Sequence, residues 1–239
     1  MKKLIIIPVY NEEKNIGNVV NGIKQHAPDF DYVVINDSST DNTFETCKQN
    51  GITVINLPIN LGIGGAVQTG YIFAYRNNYD IAVQVDGDGQ HNPKYLNDLI
   101  RLIELGQADM VIGSRFIEKE GFQSTFLRRL GIKYFHRLLK LCSGINICDT
   151  TSGFRACNKP VMKYFATAYP EDYPEPESIM TLMREKFRIV EVPVRMEERK
   201  GGTSSIRALK SIYYMIKVTL AILIDRVKPN KRRLSQGDW

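Results

Sequence analysis

The sequence contains no run of about 18 uninterrupted apolar residues, the length that a helix needs to cross a membrane. Its opening run LIIIPV is short and contains Pro8, so it predicts a buried strand rather than a secretion signal. The four cysteines form no CxxC pair, and the three histidines lack the spacing of metal ligands. These absences favour a cytoplasmic protein with reduced thiols and argue against a disulfide framework.

The charge balance favours an anionic partner. The chain of 239 residues carries 32 Lys and Arg against 26 Asp and Glu, which gives a net charge of +6 and a pI near 9.0. The sequence contains no nucleic-acid-binding module, and its basic residues do not alternate with stacking aromatics, so we expect no nucleic-acid partner. The length suits one large domain, predicted as residues 1–204, with a small appendage over residues 205–239.

The first half of the chain alternates short apolar runs with segments of helical period. The apolar runs predict strands at 3–9, 31–36, 52–57, 80–85 and 109–113. The periodic segments predict helices at 12–25, 41–49, 63–77 and 93–105. Continuous apolar strands that alternate with helices are typical of a parallel α/β sheet covered on both faces. In such folds ligands bind at the carboxyl ends of the strands.

Two later segments, 126–141 and 205–228, combine an apolar stripe with Lys and Arg at helical spacing. The second runs into the basic tail KPNKRRL. Basic amphipathic helices of this kind can lie in the membrane interface, where a polybasic tail adds attraction to anionic lipid. They can equally pack their apolar stripes against the core of the protein. The pattern leaves both interpretations open.

The sharpest motif is VQVDGDGQH at 83–91, in which an apolar strand ends in two aspartates separated by one glycine. Side chains at i and i+2 of an extended backbone point the same way, so Asp86 and Asp88 can reach one cation. Gln90 adds a neutral oxygen nearby. Hard oxygen ligands are those that Mg²⁺ and Mn²⁺ prefer. The motif therefore predicts a divalent metal site, although an Asp-x-Asp alone is often a solvated turn.

Three other loops follow predicted strands and precede predicted helices. PVYNEE (8–13) contains Tyr10 and Glu12, and VVINDSSTD (33–41) contains Asp37. NLGIGGA (60–66) offers glycine amides, among them that of Gly64, to a ligand or to a turn. Helix capping by Asn11, Ser39 or Thr40 would explain the polar residues of the first two loops without any ligand. Four such loops on one sheet edge predict a binding site more strongly than any one of them.

In these motifs the sequence resembles glycosyltransferase family 2, whose members are inverting enzymes. The resemblance covers about residues 3–206 and includes, in order, IIIPVYNEE, NDSSTD, NLGIGGA, VDGDGQ, VIGSR, DTTSGFR and IVEVPV. It is strongest to the branch with dolichyl-phosphate mannosyltransferases and undecaprenyl-phosphate glucosyltransferases. It implies a glycosyltransferase A-type fold, which is a Rossmann-like, mostly parallel sheet with helices on both faces. To this fold the 205–228 segment adds a C-terminal amphipathic helix.

The resemblance also implies roles for particular residues. The residues that would surround the nucleoside are Pro8, Tyr10, Glu12 and Asp37, with Gly64 and Asp86 completing the nucleotide site. Asp86, Asp88 and Gln90 would hold Mg²⁺ or Mn²⁺. Arg115 and Arg155 would contact phosphates, and Asp88, Arg115 and Arg155 would form the catalytic set. The residues predicted around an acceptor phosphate are Arg128, Arg129, Ser152, Arg155 and Arg199. The chain has Asn36 where the family commonly has a second acidic residue, so only Asp37 is carried over.

The acceptor decides whether a general base is needed. A polyprenyl phosphate is already ionised near neutral pH, because the second pKa of a phosphate monoester is about 6. A sugar hydroxyl would need a base, for which Glu177 or Glu175 of YPEPESI is the candidate. We expect transfer of a hexose from UDP-glucose to polyprenyl phosphate at the inner face of the cell membrane. A small integral-membrane protein could help to anchor the chain. The alternatives are extension of a glycan and, more remotely, a non-catalytic basic scaffold.

Overall fold

The structure is a computed structural model that describes residues 1–122, 126–171, 174–198 and 208–227. Seven strands form one sheet. They are β1 (Lys3–Val9), β2 (Asp31–Asn36), β3 (Val54–Asn56), β4 (Ile81–Gln84), β5 (Met110–Ser114), β6 (Arg155–Asn158) and β7 (Ile189–Pro193). The spatial order is β3-β2-β1-β4-β6-β5-β7. All five predicted strands are present, and the longest apolar runs give the most accurate ends.

The sheet is mostly parallel, as predicted, with one exception. β1 pairs in parallel with β2 and β4, and β5 pairs in parallel with β7. β6 lies between β4 and β5 and runs antiparallel to both, and its Arg155 is opposite Gln84 and Ile112. Its sequence RACN is short and begins with a charged residue, so hydrophobic periodicity gave no prediction for it. The sheet is therefore mixed, with the predicted architecture otherwise confirmed.

Eight α-helices cover the sheet in the described parts of the chain. They are α1 (Ile16–His26), α2 (Thr43–Gln49), α3 (Gly62–Arg76), α4 (Leu96–Glu104), α5 (Phe126–Ser143), α6 (Lys159–Thr167), α7 (Pro174–Arg184) and α8 (Ala208–Val227). A short 3₁₀ turn, Pro93–Tyr95, precedes α4. One hydrophobic cluster joins one sheet face to α1 and α4, and a second joins the other face to α3, α5, α6, α7 and α8. Helices on both faces explain why β1 has apolar residues on both of its sides.

The two basic amphipathic segments form α5 and α8, which pack against each other. Val218 and Ile222 of α8 are fully buried in the core shared with α5 and α7, so the helix joins the main hydrophobic core. On the other side of α8, Ile216, Leu220, Leu223 and Ile224 remain 42% to 57% exposed. The hydroxyl groups of Tyr134 on α5 and Thr219 on α8 lie 3.0 Å apart. No helix in the described ranges is long and apolar enough to cross a membrane.

Candidate active site

Three loops meet at the carboxyl edge of the sheet, where β2, β1 and β4 end. The Asp37 N–H donates to Val9 O at 2.9 Å, and the Gly87 N–H donates to Pro8 O at 3.3 Å. These two bonds place the loops after β2 and β4 on either side of the end of β1. The predicted nucleotide loops and the Asp-Gly-Asp turn are therefore neighbours. This is the edge at which parallel α/β sheets bind ligands.

Asp37 lies on this edge and is only 3% exposed. Its Oδ1 accepts the Leu61 N–H at 2.7 Å, and its carbonyl oxygen accepts from Asn60 Nδ2 at 3.0 Å. Burial raises the pKa of Asp37, although the backbone N–H groups of Leu61 and Gly62 act against this. A nearby aromatic side chain, Tyr10, is 44% exposed and offers a face on which a base could stack. Pro8 is buried in β1.

The polar residues of the first two loops bind each other rather than capping helices as expected. The Asn11 side-chain oxygen accepts the Thr40 N–H at 2.8 Å, and the Asn11 N–H donates to Ser39 Oγ at 2.9 Å. Glu12 is buried, and its Oε2 accepts from Asn15 Nδ2 at 2.7 Å. The predicted capping of α1 and α2 by Asn11, Ser39 or Thr40 was therefore wrong. These side chains instead join the two loops into one rigid unit.

Gly64, at the start of α3, packs closely against the backbone of residues 170–171. Its N–H donates to Glu171 O at 3.0 Å. A Cβ atom at this position would lie 2.1 Å from the Glu171 oxygen and 2.3 Å from the Pro170 oxygen, so only glycine fits. The geometry explains the glycine by the close approach of α3 to the 170–171 segment, and the nucleotide contact of Gly64 stays a prediction.

The Asp-Gly-Asp turn directly follows β4. Asp86 Oδ1 accepts from Gln84 Nε2 at 3.1 Å, and Asp88 Oδ1 accepts the Gln90 N–H at 3.0 Å. Gln90 is the third predicted metal ligand. Its Nε2 donates to Glu197 O at 3.3 Å, which orients its side-chain amide. A Cβ at Gly87 would lie 2.4 Å from Val9 Cγ1, so the turn approaches β1 more closely than any larger residue permits.

These residues suit a divalent cation. Asp86 and Asp88 supply carboxylate oxygens, and no salt bridge to Lys or Arg is found for Asp86 within the described residues. In those same ranges, no three His, Cys, Asp or Glu side chains are close enough to hold a metal by themselves. A metal here would therefore draw further oxygens from Gln90, water or a bound diphosphate. Mg²⁺ is commonly held in this way, by one or two carboxylates together with substrate phosphates.

Arg115, at the end of β5, is held by a buried carboxylate that the sequence analysis missed. Its Nε and one terminal nitrogen each donate to a separate oxygen of Asp149 at 2.7 Å. Burial lowers the pKa of Arg115, but the hydrogen bonds and the charge of Asp149 outweigh this and raise it. Asp86 and Glu175 add to the field on the same guanidinium. β4 and β5 both run antiparallel to β6, so Arg115 is a fixed cation on the same edge of the sheet as the Asp-Gly-Asp turn.

Arg155 and Ser152 are both 1% exposed, so neither presents a surface to an acceptor phosphate in this structure. The Arg155 guanidinium donates to Ser152 O at 2.6 Å, to Ser178 Oγ at 2.8 Å and to Thr150 O at 3.4 Å. The structure thus gives Arg155 a bracing role, in which it ties the 150–152 loop to α7. A direct phosphate contact would require these bonds to rearrange.

Two of the other predicted acceptor residues, Arg128 and Arg129, belong to α5. Arg129 is exposed on this helix. Arg128 is part of the same helix, with a side chain outside the described set, and Arg199 lies outside the described residues, as do the loop 200–206 and the basic tail.

Glu175 and Glu177, the candidate bases, occupy the first turn of α7. Burial raises the pKa of Glu175, against the opposing influence of Arg155.

The arrangement defines a class of protein: an α/β transferase with paired carboxylates at the carboxyl edge of the sheet. Residues 4–165 match the family model of glycosyl transferase family 2, and the chain belongs to this family. It is 30% identical to the UDP-N-acetylglucosamine–dolichyl-phosphate N-acetylglucosaminyltransferase of Methanococcus voltae, over 92% of this chain and 97% of that protein. It is 27% identical to the polyprenol monophosphomannose synthase of Mycolicibacterium smegmatis, over 91% and 85% respectively.

A solved structure supports the fold. The chain matches glucosyl-3-phosphoglycerate synthase from Mycobacterium tuberculosis, crystallised with Mn²⁺, UDP-glucose and phosphoglyceric acid. The TM-score is 0.70 at 18% identity, and the match covers 96% of this chain and 81% of that one. The expected glycosyltransferase A-type fold and the expected branch of the family are both confirmed.

Proposed function

We propose that this protein transfers a hexose, with UDP-glucose as the donor, to a polyprenyl phosphate. The observation that carries the proposal is that Asp86 follows β4 and the fixed cation Arg115 follows β5, at the same edge of the sheet. Asp86 can serve the leaving diphosphate through a bound cation, and Arg115 can serve an anionic acceptor. The names of two relatives that align along most of their length specify dolichyl phosphate or polyprenol products, which supports the same acceptor class.

The donor would lie across the ends of β1, β2 and β4. Tyr10 would stack on the base, and the buried carboxylate of Asp37 would accept a hydrogen bond from it. Asp86, Asp88 and Gln90 would hold Mg²⁺ or Mn²⁺. When bound, the cation supplies Lewis-acid stabilisation of the charge that develops on the nucleoside diphosphate. By holding the cation, the two carboxylates would orient that diphosphate.

The acceptor would need cations rather than a base. A phosphate monoester carries most of its second negative charge at neutral pH, so its oxygen can attack without losing a proton to the enzyme. Arg115 keeps its guanidinium in place through Asp149 and can stabilise the attacking phosphate. Arg129, exposed on α5, would add a second cation. Attack on the face opposite the diphosphate would invert the anomeric centre.

The exposed side of α5 and α8 would bring the protein to its lipid acceptor. The apolar residues of this α5–α8 face are Leu130, Tyr134, Ile216, Leu220, Leu223 and Ile224. Basic residues Lys133 and Arg137 are exposed on the same helix as Tyr134. An apolar stripe beside basic side chains suits the interface of an anionic membrane. We therefore propose peripheral attachment to the inner face of the cell membrane, with a small membrane protein as a further anchor.

The second candidate function is transfer to a sugar hydroxyl. The observation that favours it is Glu175, because burial raises its pKa and a general base works best with a pKa near the operating pH. The charges of Arg155, Asp86 and Arg115 all act on its pKa, which supports a position near the same site. Such an enzyme would extend a glycan or a lipid-linked sugar.

A donor and acceptor panel tests the proposal. Purified protein with Mn²⁺ is offered UDP-glucose, UDP-galactose, UDP-N-acetylglucosamine or GDP-mannose, each with undecaprenyl phosphate in vesicles. We expect a sugar joined to the lipid through phosphate, with UDP-glucose as the best donor. The Asp88→Asn variant serves as the inactive control. Transfer only to sugar hydroxyls would support the second function, and no transfer from any donor would reject both.

A further inference from the structure

His91 is buried at 6% exposure between three parts of the candidate active site. It ends the Asp-Gly-Asp segment, its ring stacks on Phe154, and its backbone forms a β-bridge with Met196. The ring centroids of His91 and Phe154 are 4.8 Å apart, and the planes differ by 10°. A buried ring stacked on a core phenylalanine could simply fill space. One hydrogen bond points to a more specific role.

The Asp86 N–H donates to Nδ1 of His91 at 3.0 Å. The flanking amides of Val85 and Gly87 donate to Ile6 O and Pro8 O of β1. Alternate N–H groups of a strand point to opposite sides, so the Asp86 N–H faces away from β1. The antiparallel neighbour β6 begins at Arg155, opposite Gln84, and offers no strand partner at this point. His91 Nδ1 is the acceptor that the described structure gives this amide.

The same ring also lies beside the Asp86 carboxylate. His91 Nε2 is 3.6 Å from Asp86 Oδ2. On the opposite side, a Cβ added to Gly153 would lie 2.9 Å from Asp86 Oδ2, so the loop before Phe154 leaves no spare room there. The imidazole and Gly153 thus lie beside Oδ2, while Oδ1 accepts from Gln84 Nε2 at 3.1 Å. The imidazole stacks on Phe154, and Gly153 directly precedes Phe154 in the chain.

We propose that His91 is a positioning residue that holds Asp86 in the orientation required to bind a divalent cation. The inference rests on the proposed function, because it assumes a metal at Asp86 and Asp88. Other contacts hold the far end of the turn: the Glu197 N–H donates to Gln90 O at 2.9 Å. On Asp86 itself, Gln84 Nε2 donates to Oδ1 at 3.1 Å, and His91 is the residue that contacts both the backbone N–H and the side of Oδ2. Residues that orient metal ligands typically change metal affinity by about 10-fold to 100-fold when they are replaced.

Two variants separate the hydrogen bond from the packing. His91→Phe keeps an aromatic ring to stack on Phe154 but removes the acceptor. His91→Asn places an oxygen near the position of Nδ1 but removes most of the ring. His26→Phe is the matched control, because His26 Nδ1 is 2.9 Å from Gly22 O at the end of α1, far along the chain from the turn. Mn²⁺ binding is measured by electron paramagnetic resonance titration in the presence of UDP, with thermal unfolding of each metal-free protein as the stability readout.

We expect His91→Phe to weaken Mn²⁺ binding by about 10-fold or more, while His91→Asn stays within about 3-fold of the unaltered protein despite a lower melting temperature. A packing role predicts the reverse order. Unchanged Mn²⁺ affinity in His91→Phe, equal losses in both variants, or no Mn²⁺ binding by the unaltered protein would each overturn the inference. Because the readout is binding, a protein that binds Mn²⁺ as expected but transfers no sugar would reject the proposed function and leave the role of His91 standing.

Discussion

Arg115 and Asp149 form a two-point ion pair in which both carboxylate oxygens receive hydrogen bonds of 2.7 Å from one guanidinium. Asp149 is completely buried, and its own N–H donates to Glu191 Oε1 at 2.7 Å. The N–H of Cys148 donates to the other oxygen of Glu191 at 2.6 Å. Glu191 on β7 therefore fixes the loop that carries Asp149, and Asp149 in turn fixes Arg115. The orientation of the proposed phosphate-binding arginine is set by two carboxylates.

The first prediction concerns this pair. Asp149→Asn should lower the free energy of unfolding by about 3 kcal/mol, because it leaves a buried guanidinium without its counter-charge. It should also reduce transfer to polyprenyl phosphate by more than 10-fold, mainly through a raised KM for the acceptor, since Arg115 is no longer held. Urea unfolding and steady-state kinetics with varied acceptor measure the two effects.

The control lies at the other end of the same strand. Asp109 precedes β5 and accepts hydrogen bonds at 3.2 Å from the exposed Arg188 side chain, whereas Arg115 follows β5. Asp109→Asn removes a similar Arg–Asp pair, but at the end of β5 opposite to Arg115. It should therefore leave the acceptor KM unchanged. Equal acceptor defects in both variants would mean that the loss reflects general weakening of the sheet rather than the position of Arg115.

The second prediction concerns the metal site. Asp88→Asn should reduce transfer by on the order of 100-fold, because an amide oxygen carries no charge to hold a divalent cation. The fold should persist, since Asp88 lies in a turn outside the buried strands. Activity is measured over a range of Mn²⁺ concentrations, with circular dichroism as the check on folding. Asp98→Asn, an exposed change in the first turn of α4, is the control. Full activity of Asp88→Asn at ordinary Mn²⁺ would remove Asp88 from the metal site.

The third prediction follows from the raised pKa of Glu175. Burial raises this pKa above its ordinary value, against the influence of Arg155, so ionisation is less favourable in the folded protein than in the unfolded chain. The contribution of Glu175 to stability should therefore be greatest below the ordinary carboxyl pKa and should be lost as pH rises through the folded pKa. Glu175→Gln cannot ionise, so it should match the unaltered protein at low pH and exceed it in stability near neutrality.

The same variant separates the two candidate functions. If the acceptor is a phosphate, Glu175→Gln should keep transfer within several-fold, because no base is required. If the acceptor is a sugar hydroxyl and Glu175 is the base, transfer should fall by about 100-fold or more. Urea unfolding across the acidic to neutral range and transfer assays with both acceptors supply the measurements. A stability difference that is the same at every pH would contradict the linkage argument.

Local patterns explain which parts of the fold were predictable. β1 and β2 were predicted residue for residue, because their apolar runs are continuous and strands buried on both faces require such runs. β6 was missed because only four residues form it and the first is the buried Arg155. A charged residue predicts a surface position unless its partners are known. Here the partners are a hydroxyl and backbone carbonyls, which no sequence pattern marks.

The candidate site shows the same limit. Asp86 and Asp37 were predicted because each directly follows a predicted strand, and Asp88 because it lies two residues after Asp86. Asp149 was missed because its partner Arg115 is 34 residues away and the loop between them has no periodic signal. His91 was not predicted as a site residue, because the histidines lack the spacing of metal ligands. The ring's contact with the Asp86 amide depends on a turn geometry that the sequence does not specify.

The last prediction concerns membrane attachment. Removing α8 outright would be a poor test, because Val218 and Ile222 belong to the core and their loss would disturb the whole fold. The exposed side of the helix offers a cleaner one. Leu220 and Ile224 are one turn apart, and each is 53% exposed. Each should contribute on the order of 1 kcal/mol when its exposed part leaves water for the lipid interface.

The double variant Leu220→Ser/Ile224→Ser should therefore bind anionic vesicles about 30-fold more weakly, which corresponds to about 2 kcal/mol. Its melting temperature should change little, since both side chains already face solvent. Val218→Ser is the matched control on the same helix: it should lower the melting temperature because it puts a hydroxyl into the core, yet leave vesicle binding intact. Sedimentation with vesicles at low and high salt gives the affinities, and the apolar contribution should persist at high salt because ions do not screen it. Vesicle binding by the double variant equal to that of the unaltered protein would show that this side of α8 does not contact the membrane.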